Sequence, residues 1–204
     1  MIFFKVAIRN AITQIVQRKR LAEWEKNGQP NPPPHLIKQR MLKSFLDKFD
    51  LHILIETGTY YGDMIEAMKR HVDRVYSIEL SEYFYNAAKK RFARDKHIEL
   101  IQGDSAIELG KLIERIQQPA LFWLDGHYSA GLTARGVKDT PIFEELTYVL
   151  NTNVKHVILI DDARCFGTDP AYPSIEELTI FVKRITPDVD ISVDLDCIRI
   201  LHRQ

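Results

Sequence analysis

The sequence predicts an α/β fold with a mostly parallel sheet of seven strands, and three observations support that prediction. From residue 52 onward, short apolar runs rich in β-branched residues alternate with longer stretches of helical periodicity, as in parallel βαβ units. Helix-start signals fall between these runs, such as the capping-box spacing of Ser174 and Glu177. The chain ends in two alternating runs, 190–196 and 197–203, which a tight turn can join only as an antiparallel hairpin.

The elements between residue 52 and the hairpin follow one another in regular order. The five parallel strands are expected at 52–56, 74–79, 98–102, 120–124 and 156–160. The helices that follow them are expected at 62–71, 82–94, 105–117, 140–151 and 174–185. Pro141 is expected at the first position of its helix, where its missing N–H has no intrahelical partner to lose.

One domain with an N-terminal helical extension is predicted. A chain of 204 residues can form one substantial core but is too short for two ordinary domains and a linker. Residues 1–27 carry apolar side chains at helical spacing, and the proline-rich stretch that follows, 27–34, cannot continue a helix. With a second helix near 36–49, we expect an extension at 1–49 and the main domain at 50–204. The first helix is expected to pack on its own domain or to join two copies as a homodimer.

Charge and hydropathy narrow the function classes. Lys and Arg total 28 and Asp and Glu total 28, so the chain has no electrostatic footprint for nucleic acid. No apolar run approaches the roughly 20 residues that cross a bilayer, and Lys5 interrupts the opening apolar residues too early for a signal peptide. Cys165 and Cys197 lack the spacing of a disulfide framework or a zinc site. We expect a cytoplasmic protein with a small-molecule substrate, no nucleic-acid partner and no integral membrane contact.

Acidic residues follow every predicted parallel strand, at the strand end or within two residues of it. They are Glu56, Glu79, Asp104, Asp125 and the pair Asp161 and Asp162. Ligands of open parallel sheets bind outside the carboxyl ends of the strands. These acids are therefore expected along one rim of the sheet, at a ligand site.

The segment from Glu56 to Gly62 is predicted to form the first strand-to-helix turn. Its glycines permit tight geometry, and the following helix offers free N–H groups, although a turn without a ligand would have the same features. Glu79 follows Glu56 by 23 residues and is placed to accept hydrogen bonds from ribose hydroxyls. Together they predict a site for an adenosine-containing cofactor. The residues expected to form this part of the site are Glu56, Thr57, Gly58, Thr59, Tyr60, Gly62, Asp63 and Glu79.

These residues resemble the class I S-adenosylmethionine-dependent methyltransferases, whose first motif reads Glu/Asp-x-Gly-x-Gly-x-Gly. Glu56, Gly58 and Gly62 match that motif, while Tyr60 stands at the middle glycine position. The resemblance implies a Rossmann-like sheet in the order 3-2-1-4-5-7-6 and S-adenosylmethionine as cofactor. It also implies that Asp104, with Ser105 beside it, meets the adenine amino group. Capping of the next helix is the alternative role for both residues.

Three acids are expected to converge where the fourth and fifth strands end, namely Asp125, Asp161 and Asp162. Uncompensated carboxylates repel one another, and a hard divalent cation such as Mg²⁺ would relieve that repulsion. Structural capping by the Asp161 and Asp162 pair is the simpler alternative. Here the resemblance narrows to the macrocin and noviose O-methyltransferases, and more loosely to catechol O-methyltransferase, which implies that these three acids hold Mg²⁺. Asp125 is also expected to bind the cofactor and to take part in catalysis.

The sugar-modifying enzymes of that group place an Asp as general base two residues beyond the fourth-strand acid, and this chain has His127 there. A histidine titrates near neutrality and can also accept a hydroxyl proton. The resemblance therefore implies Mg²⁺-assisted O-methylation of a small-molecule hydroxyl, such as that of a sugar or diol, with His127 accepting the proton. The polar stretch 128–139 is expected to form a substrate lid. Two alternatives remain open, a nicotinamide-dependent oxidoreductase and a noncatalytic cofactor-binding regulatory module. Tyr60 at the middle glycine position and the closing hairpin both argue against the oxidoreductase.

Overall fold

A single seven-stranded sheet runs through the molecule in the order β3-β2-β1-β4-β5-β7-β6. The computed structural model describes residues 15–126 and 140–203. Strands β1 to β5 are parallel, whereas β7 runs antiparallel to both β5 and β6. The predicted fold class, strand order and closing hairpin are confirmed. The strands are β1 (Ile53–Thr57), β2 (Arg74–Glu79), β3 (Ile98–Gln102), β4 (Leu121–Leu124), β5 (Val157–Ile160), β6 (Val189–Asp194) and β7 (Cys197–His202).

The helices agree with the predicted ones to within a few residues at their ends. The capping box of Ser174 and Glu177 is present, with both reciprocal hydrogen bonds. Pro141 takes the cap position rather than the first helical position, so its helix begins one residue later. The helices are α1 (15–26), α2 (His35–Phe49), α3 (Asp63–Met68), α4 (Glu82–Arg91), α5 (Ser105–Ile113), α6 (Ile142–Leu150) and α7 (Ile175–Ile185). None of the helices in the described residues has the length and apolarity that crossing a bilayer requires.

Two apolar cores lie on opposite faces of the sheet, because successive strand residues point in opposite directions. In β1, Ile55 belongs to the core that α5, α6 and α7 cover, while Leu54 belongs to the core beneath α2, α3 and α4. The strands β1, β4 and β5 are buried on both faces, so their near-continuous apolar sequences suit the centre of a parallel sheet. The carboxyl ends of these central strands therefore open onto one fixed rim.

Helix α2 is part of the second core. Its buried side chains recur at helical spacing and pack with residues from β1, β4 and β5. They are Met41, Leu42, Phe45 and Leu46. Lys38 precedes Met41 by three residues and Leu42 by four, which places it on the same face of the helix. The packing of α2 thus directs a lysine toward the sheet.

Candidate cofactor and active site

The rim is assembled by the register of the three central strands. Thr57 pairs with Leu124, and Leu124 pairs with Ile160. The next residues continue this alignment, because the Asp125 N–H donates to the Thr57 carbonyl at 3.1 Å and the Asp161 N–H donates to the Leu124 carbonyl at 3.0 Å. The structure therefore brings the acids that follow β4 and β5 to the same edge as the first loop, as the sequence predicted.

The first loop depends on two glycines in the left-handed region. Gly58 has φ of 86°, and a Cβ there would collide with the backbone carbonyl of Asp125. Gly62 has φ of 74° and caps α3, and a Cβ there would lie 2.6 Å from the ring of Phe92. Tyr60 between them also has a positive φ of 49°, at the position where the matched motif has glycine. The loop thus keeps the left-handed turn and adds an aromatic side chain.

Glu79 is held in place by the loops on either side of it. Its Oε2 accepts from the Tyr60 N–H and its Oε1 from the Ser81 N–H, both at 2.8 Å. Burial raises the pKa of Glu79, and these backbone hydrogen bonds act in the opposite direction. Since each carboxylate oxygen has two lone pairs, both oxygens can accept a further hydrogen bond. This geometry suits an acid that receives the two hydroxyls of a ribose.

Glu56 lies beneath the first loop and is only 2% exposed. The Ser77 hydroxyl lies 2.6 Å from both Glu56 Oε2 and Thr59 Oγ1, so the three side chains form one chain of hydrogen bonds. Burial raises the pKa of Glu56 to about 8, the Ser77 hydrogen bond opposing it. Thr57 and Thr59 are also buried. These predicted cofactor residues therefore support the loop from below.

An aromatic cluster lies on the outer side of the same loop. The rings of Tyr60 and Tyr61 lie 4.6 Å and 5.1 Å from the ring of Phe84, measured between centroids. Phe84 is buried, whereas both tyrosines are about half exposed. The cluster anchors the loop on α4 and leaves two aromatic edges at the surface next to Glu79.

Asp104 and Asp63 make local contacts at helix starts. Asp104 caps α5, accepting from the Ala106 N–H at 2.9 Å, so the capping alternative is confirmed and an adenine contact remains a prediction. The Gly103 N–H donates to the Glu79 carbonyl at 3.0 Å, which places Asp104 just beyond Glu79 along the rim. Ser105 is buried behind that cap. Asp63 is exposed and pairs with Arg91 at 2.7 Å.

Asp125, Asp161 and Asp162 form what we call the acidic cluster, and Lys38 lies against it. The Lys38 ammonium is 2.5 Å from Asp161 Oδ2 and 3.4 Å from Asp162 Oδ1. Burial raises the pKa of Asp161 and the charge of Asp125 adds to this, while Lys38 opposes both. For Lys38 itself burial lowers the pKa, but the carboxylates outweigh it and the pKa lies above its ordinary value. An ammonium from α2 thus supplies positive charge to the cluster.

A second cation, Arg164, also contacts the cluster. Arg164 Nη1 lies 2.7 Å from Asp162 Oδ1 and also pairs with the buried carboxylate of Asp196 in the hairpin turn. Asp196 also accepts from the Arg164 N–H at 2.8 Å. Asp162 has φ of 58°, so the chain turns sharply after β5 into the short 3-10 turn Ala163–Cys165. A hydrogen bond and an ion pair therefore connect this turn to the hairpin.

The acidic cluster, as its side chains lie here, does not fit a resident Mg²⁺. Both oxygens of Asp161 are engaged, Oδ2 by Lys38 and Oδ1 by the Asp162 N–H at 2.8 Å. Asp162 Oδ1 is shared by Lys38 and Arg164. Within residues 15–126 and 140–203, no group of three or more His, Cys, Asp or Glu side chains is arranged to hold a metal ion. The predicted ligands lie together, but cations of the chain itself engage them.

The predicted general base, His127, lies outside the described residues, as does the predicted lid at 128–139. Another histidine, His35, stands at the start of α2, with its Nδ1 2.7 Å from Gln39 Nε2. Desolvation lowers the pKa of His35, and the charges of Asp63 and Asp125 oppose that shift. His35 therefore lies within the electrostatic field of the acids at the rim, and no sequence pattern predicted its position there.

Sequence reasoning also missed Lys38 and Ser77. A serine within the apolar run of β2 is a detectable signal, because buried polar groups need partners. Lys38 could have been noticed as the one charged residue in register with the apolar stripe at Met41 and Leu42. What the sequence could not show is which strand end its ammonium meets.

Comparison with known proteins agrees with this architecture. No family model matches the chain. The chain is 30% identical over 90 residues to the "Probable ribosomal RNA small subunit methyltransferase A" of Methanococcoides burtonii, a match that covers 43% of this chain and 33% of that protein. The aligned region is therefore about a third of the relative's length.

Solved structures match over most of the chain. The O-methyltransferase TomG from Streptomyces achromogenes, in complex with SAM, has a TM-score of 0.56 and 18% identity, covering 92% of this chain and 89% of its own. An O-methyltransferase from Bacillus cereus, in complex with SAH, has a TM-score of 0.57 and 15% identity, covering 92% and 90%. The chain thus shares the Rossmann-like fold of these methyltransferase structures. At these identities the likeness concerns the fold, not the substrate.

Proposed function

We propose that this chain binds S-adenosylmethionine at the rim and transfers its methyl group to an acceptor. The observation that carries the proposal is the placement of Glu79, fixed by the Tyr60 and Ser81 N–H groups beside a glycine turn. An acid at the end of β2 next to such a turn suits a ribose. The match to structures that hold SAM or SAH supports the same cofactor.

In the proposed reaction an acceptor lone pair forms a bond to the methyl carbon as the sulfonium C–S bond breaks, which leaves S-adenosylhomocysteine. The chain contributes mainly alignment, because a fixed near-attack geometry removes much of the entropic barrier. Glu79 orients the nucleoside, and the Gly58 turn brings the first loop against the end of β4. A hydroxyl acceptor must also lose its proton, and His127 remains the predicted base.

For the acceptor we propose a small-molecule hydroxyl. The balanced charge of 28 basic and 28 acidic residues supports this choice, because nucleic-acid substrates favour basic surfaces. The two structural neighbours named above are O-methyltransferases. Ribosomal RNA is the second candidate, and the partial match to the Methanococcoides burtonii protein favours it. The observations on the acidic cluster do not support Mg²⁺ as part of this proposal.

Cofactor binding is the first prediction. Titration calorimetry and thermal shift should show binding of S-adenosylmethionine and S-adenosylhomocysteine, and ligand at 100 times its Kd should stabilise the fold by about 2.7 kcal/mol. Glu79→Ala removes hydrogen bonds to a charged group, worth about 1.5–3 kcal/mol, so affinity should fall about 10- to 100-fold. Glu82→Gln, at an exposed position on α4, is the control and should bind normally.

Two results would contradict the cofactor proposal. One is a response to NAD with none to either sulfur-containing ligand. The other is a Glu79→Ala variant that binds S-adenosylmethionine as tightly as the parent chain. The proposal for the acceptor is tested by a different experiment. Transfer of a labelled methyl group to sugars and diols is compared with transfer to small-subunit ribosomal RNA. Labelling of RNA alone would favour the second candidate.

A further inference from the structure

We infer that Lys38 is the built-in counter-cation of the acidic cluster and takes the place that a divalent metal ion would otherwise fill. In this view the ammonium fixes Asp161 and Asp162 at the rim, and the site functions without a resident metal. The statement about metal binding stands on the geometry of the cluster. Only its consequence for turnover rests on the proposed methyltransferase function.

The first step is the occupancy of the carboxylate oxygens. Lys38 Nζ lies 2.5 Å from Asp161 Oδ2, and the other oxygen accepts from the Asp162 N–H at 2.8 Å. Mg²⁺ binds oxygen at about 2.0–2.1 Å in near-octahedral geometry. An ion bound to Asp161 Oδ2 would have to share that oxygen with the ammonium and would be repelled by its charge. Lys38 therefore opposes metal binding as long as it keeps its place.

The second step is the balance of charge. Two or three carboxylates at one strand end repel one another, and burial increases that repulsion. Lys38 contacts both Asp161 and Asp162, and Arg164 also contacts Asp162. The described chain thus supplies two positive charges to these acids. The electrostatic need that would recruit a divalent ion is met internally.

The third step is the rigidity of the lysine. Lys38 belongs to α2, whose Met41 and Leu42 pack in the core with residues of β1, β4 and β5. Its side chain is 13% exposed, so it is enclosed in a way that a surface lysine is not. Moving the ammonium away would leave the buried carboxylate of Asp161 without its ion pair, which is strongly unfavourable for a buried charge. Lys38 is therefore a fixed positioning residue.

The test is the metal affinity of the full chain, measured with Mn²⁺ by electron paramagnetic resonance. The parent chain should bind no Mn²⁺ at this site up to about 1 mM. Lys38→Met removes the cation that is paired with Asp161 and should create one Mn²⁺ site, with at least tenfold higher affinity than any in the parent. The double variant Lys38→Met with Asp161→Asn should lose that site. Lys43→Met is the matched control, because Lys43 pairs with Asp47 on an exposed part of α2.

Two outcomes overturn the inference. One is a parent chain that binds Mn²⁺ and loses it in Asp161→Asn; the other is a folded Lys38→Met variant that binds no more Mn²⁺ than the parent. If Lys38→Met does not fold, Lys38→Gln replaces it, since the amide retains a donor but carries no charge. Circular dichroism and S-adenosylmethionine binding report folding separately.

The consequence for turnover is measured with the same variants. Methyl transfer by the parent chain should be unaffected by EDTA, whereas transfer by Lys38→Met should become dependent on added Mn²⁺. A purely structural role for Lys38 would not create that dependence. Parent transfer that EDTA abolishes would overturn the inference. Absence of transfer under every condition would refute the proposed function and leave the Mn²⁺ result standing.

Discussion

Gly58 shows how a single residue can tie a motif to the geometry of its neighbours. Its N–H donates to the Ile78 carbonyl at 2.9 Å, and its α-carbon lies against the Asp125 carbonyl. The first loop is thereby wedged between the ends of β2 and β4. The glycine is needed for two separate reasons, the left-handed φ and the close approach of a backbone.

Gly58→Ala should be destabilising and should weaken cofactor binding. A left-handed non-glycine residue costs about 1–2 kcal/mol, and the collision with the Asp125 carbonyl adds about 1–3 kcal/mol. The midpoint of thermal unfolding should fall by roughly 4–20 °C on the scale of about 2–4 °C per kcal/mol. Gly28→Ala is the control, because Gly28 also has a positive φ but a Cβ there meets nothing within 4 Å. Equal losses in the two variants would show that the close approach is unimportant.

At the residue scale the sequence predicted which residue types reach the rim but not which of them face a ligand. Glu56 and Glu79 are both acids at strand ends, yet the first hydrogen-bonds to Ser77 below the loop and the second to the loop backbone. The difference arises from side-chain direction along the strand, which depends on the twist and register of the folded sheet. Lys38 was overlooked for the same reason, since its ion pair with Asp161 spans 123 residues of sequence.

At the scale of elements, the closing hairpin is connected to the rim through Arg164, which pairs with both Asp196 and Asp162. Asp194 pairs with Cys197, so Leu195 and Asp196 form a two-residue turn, and both have positive φ, at 52° and 60°. Turns of this kind favour Asn-Gly and Asp-Gly. Asp196 suits the turn and also holds Arg164, whereas Leu195 gains nothing from the left-handed conformation.

Leu195→Asn should therefore stabilise the chain by about 0.5–1 kcal/mol, because asparagine tolerates the left-handed region better than leucine. The melting midpoint should rise by about 1–4 °C. Asp196→Asn is the comparison within the same turn, since it keeps a residue suited to positive φ but removes the charge paired with Arg164. It should be destabilising. A loss of stability in Leu195→Asn would mean that packing of the half-buried leucine side chain stabilises the fold by more than its left-handed backbone destabilises it.

Strands and helices were predictable because hydrophobic period and turn chemistry are local properties. The bounds of β2 and β3 coincide with the predicted ranges 74–79 and 98–102. The packing of α2 was harder to see, because the sequence predicted a helix near 36–49 but not that its apolar face packs with residues of the central strands. A periodic apolar stripe predicts that a face is buried but does not identify what buries it.

The stability of the whole molecule should depend on pH through two buried groups, one in β1 and one just before β5. One is Glu56, whose pKa burial raises from 4.5 to about 8. The other is His156, whose pKa burial lowers from 6.5 to about 4, the nearby His202 adding to the shift. The His156 Nδ1 accepts from the Ala120 N–H at 3.2 Å, which ties the start of β4 to the start of β5.

The sign of each effect follows from which state binds protons more tightly. The folded chain holds the Glu56 proton more tightly than the unfolded chain does, so the free energy of unfolding falls as pH rises from 4.5 through about 8. For His156 the unfolded chain binds the proton more tightly, so that free energy falls as pH drops from 6.5 through about 4. Between pH 4.5 and 6.5 the two slopes oppose each other.

Variants should separate these two slopes in chemical denaturation measured from pH 4 to 9. Glu56→Gln should flatten the alkaline side, and the full Glu56 effect is at most about 5 kcal/mol at about 1.4 kcal/mol per pKa unit. His156→Asn, whose amide oxygen can still accept from the Ala120 N–H, should flatten the acid side. Any cost of repacking that does not change with pH cancels, because each variant is compared with itself at different pH values.

If Glu56→Gln kept the slope of the parent chain between pH 6 and 9, Glu56 would be ionised in the folded protein. The hydrogen-bond chain through Ser77 would then stabilise a charge beneath the first loop.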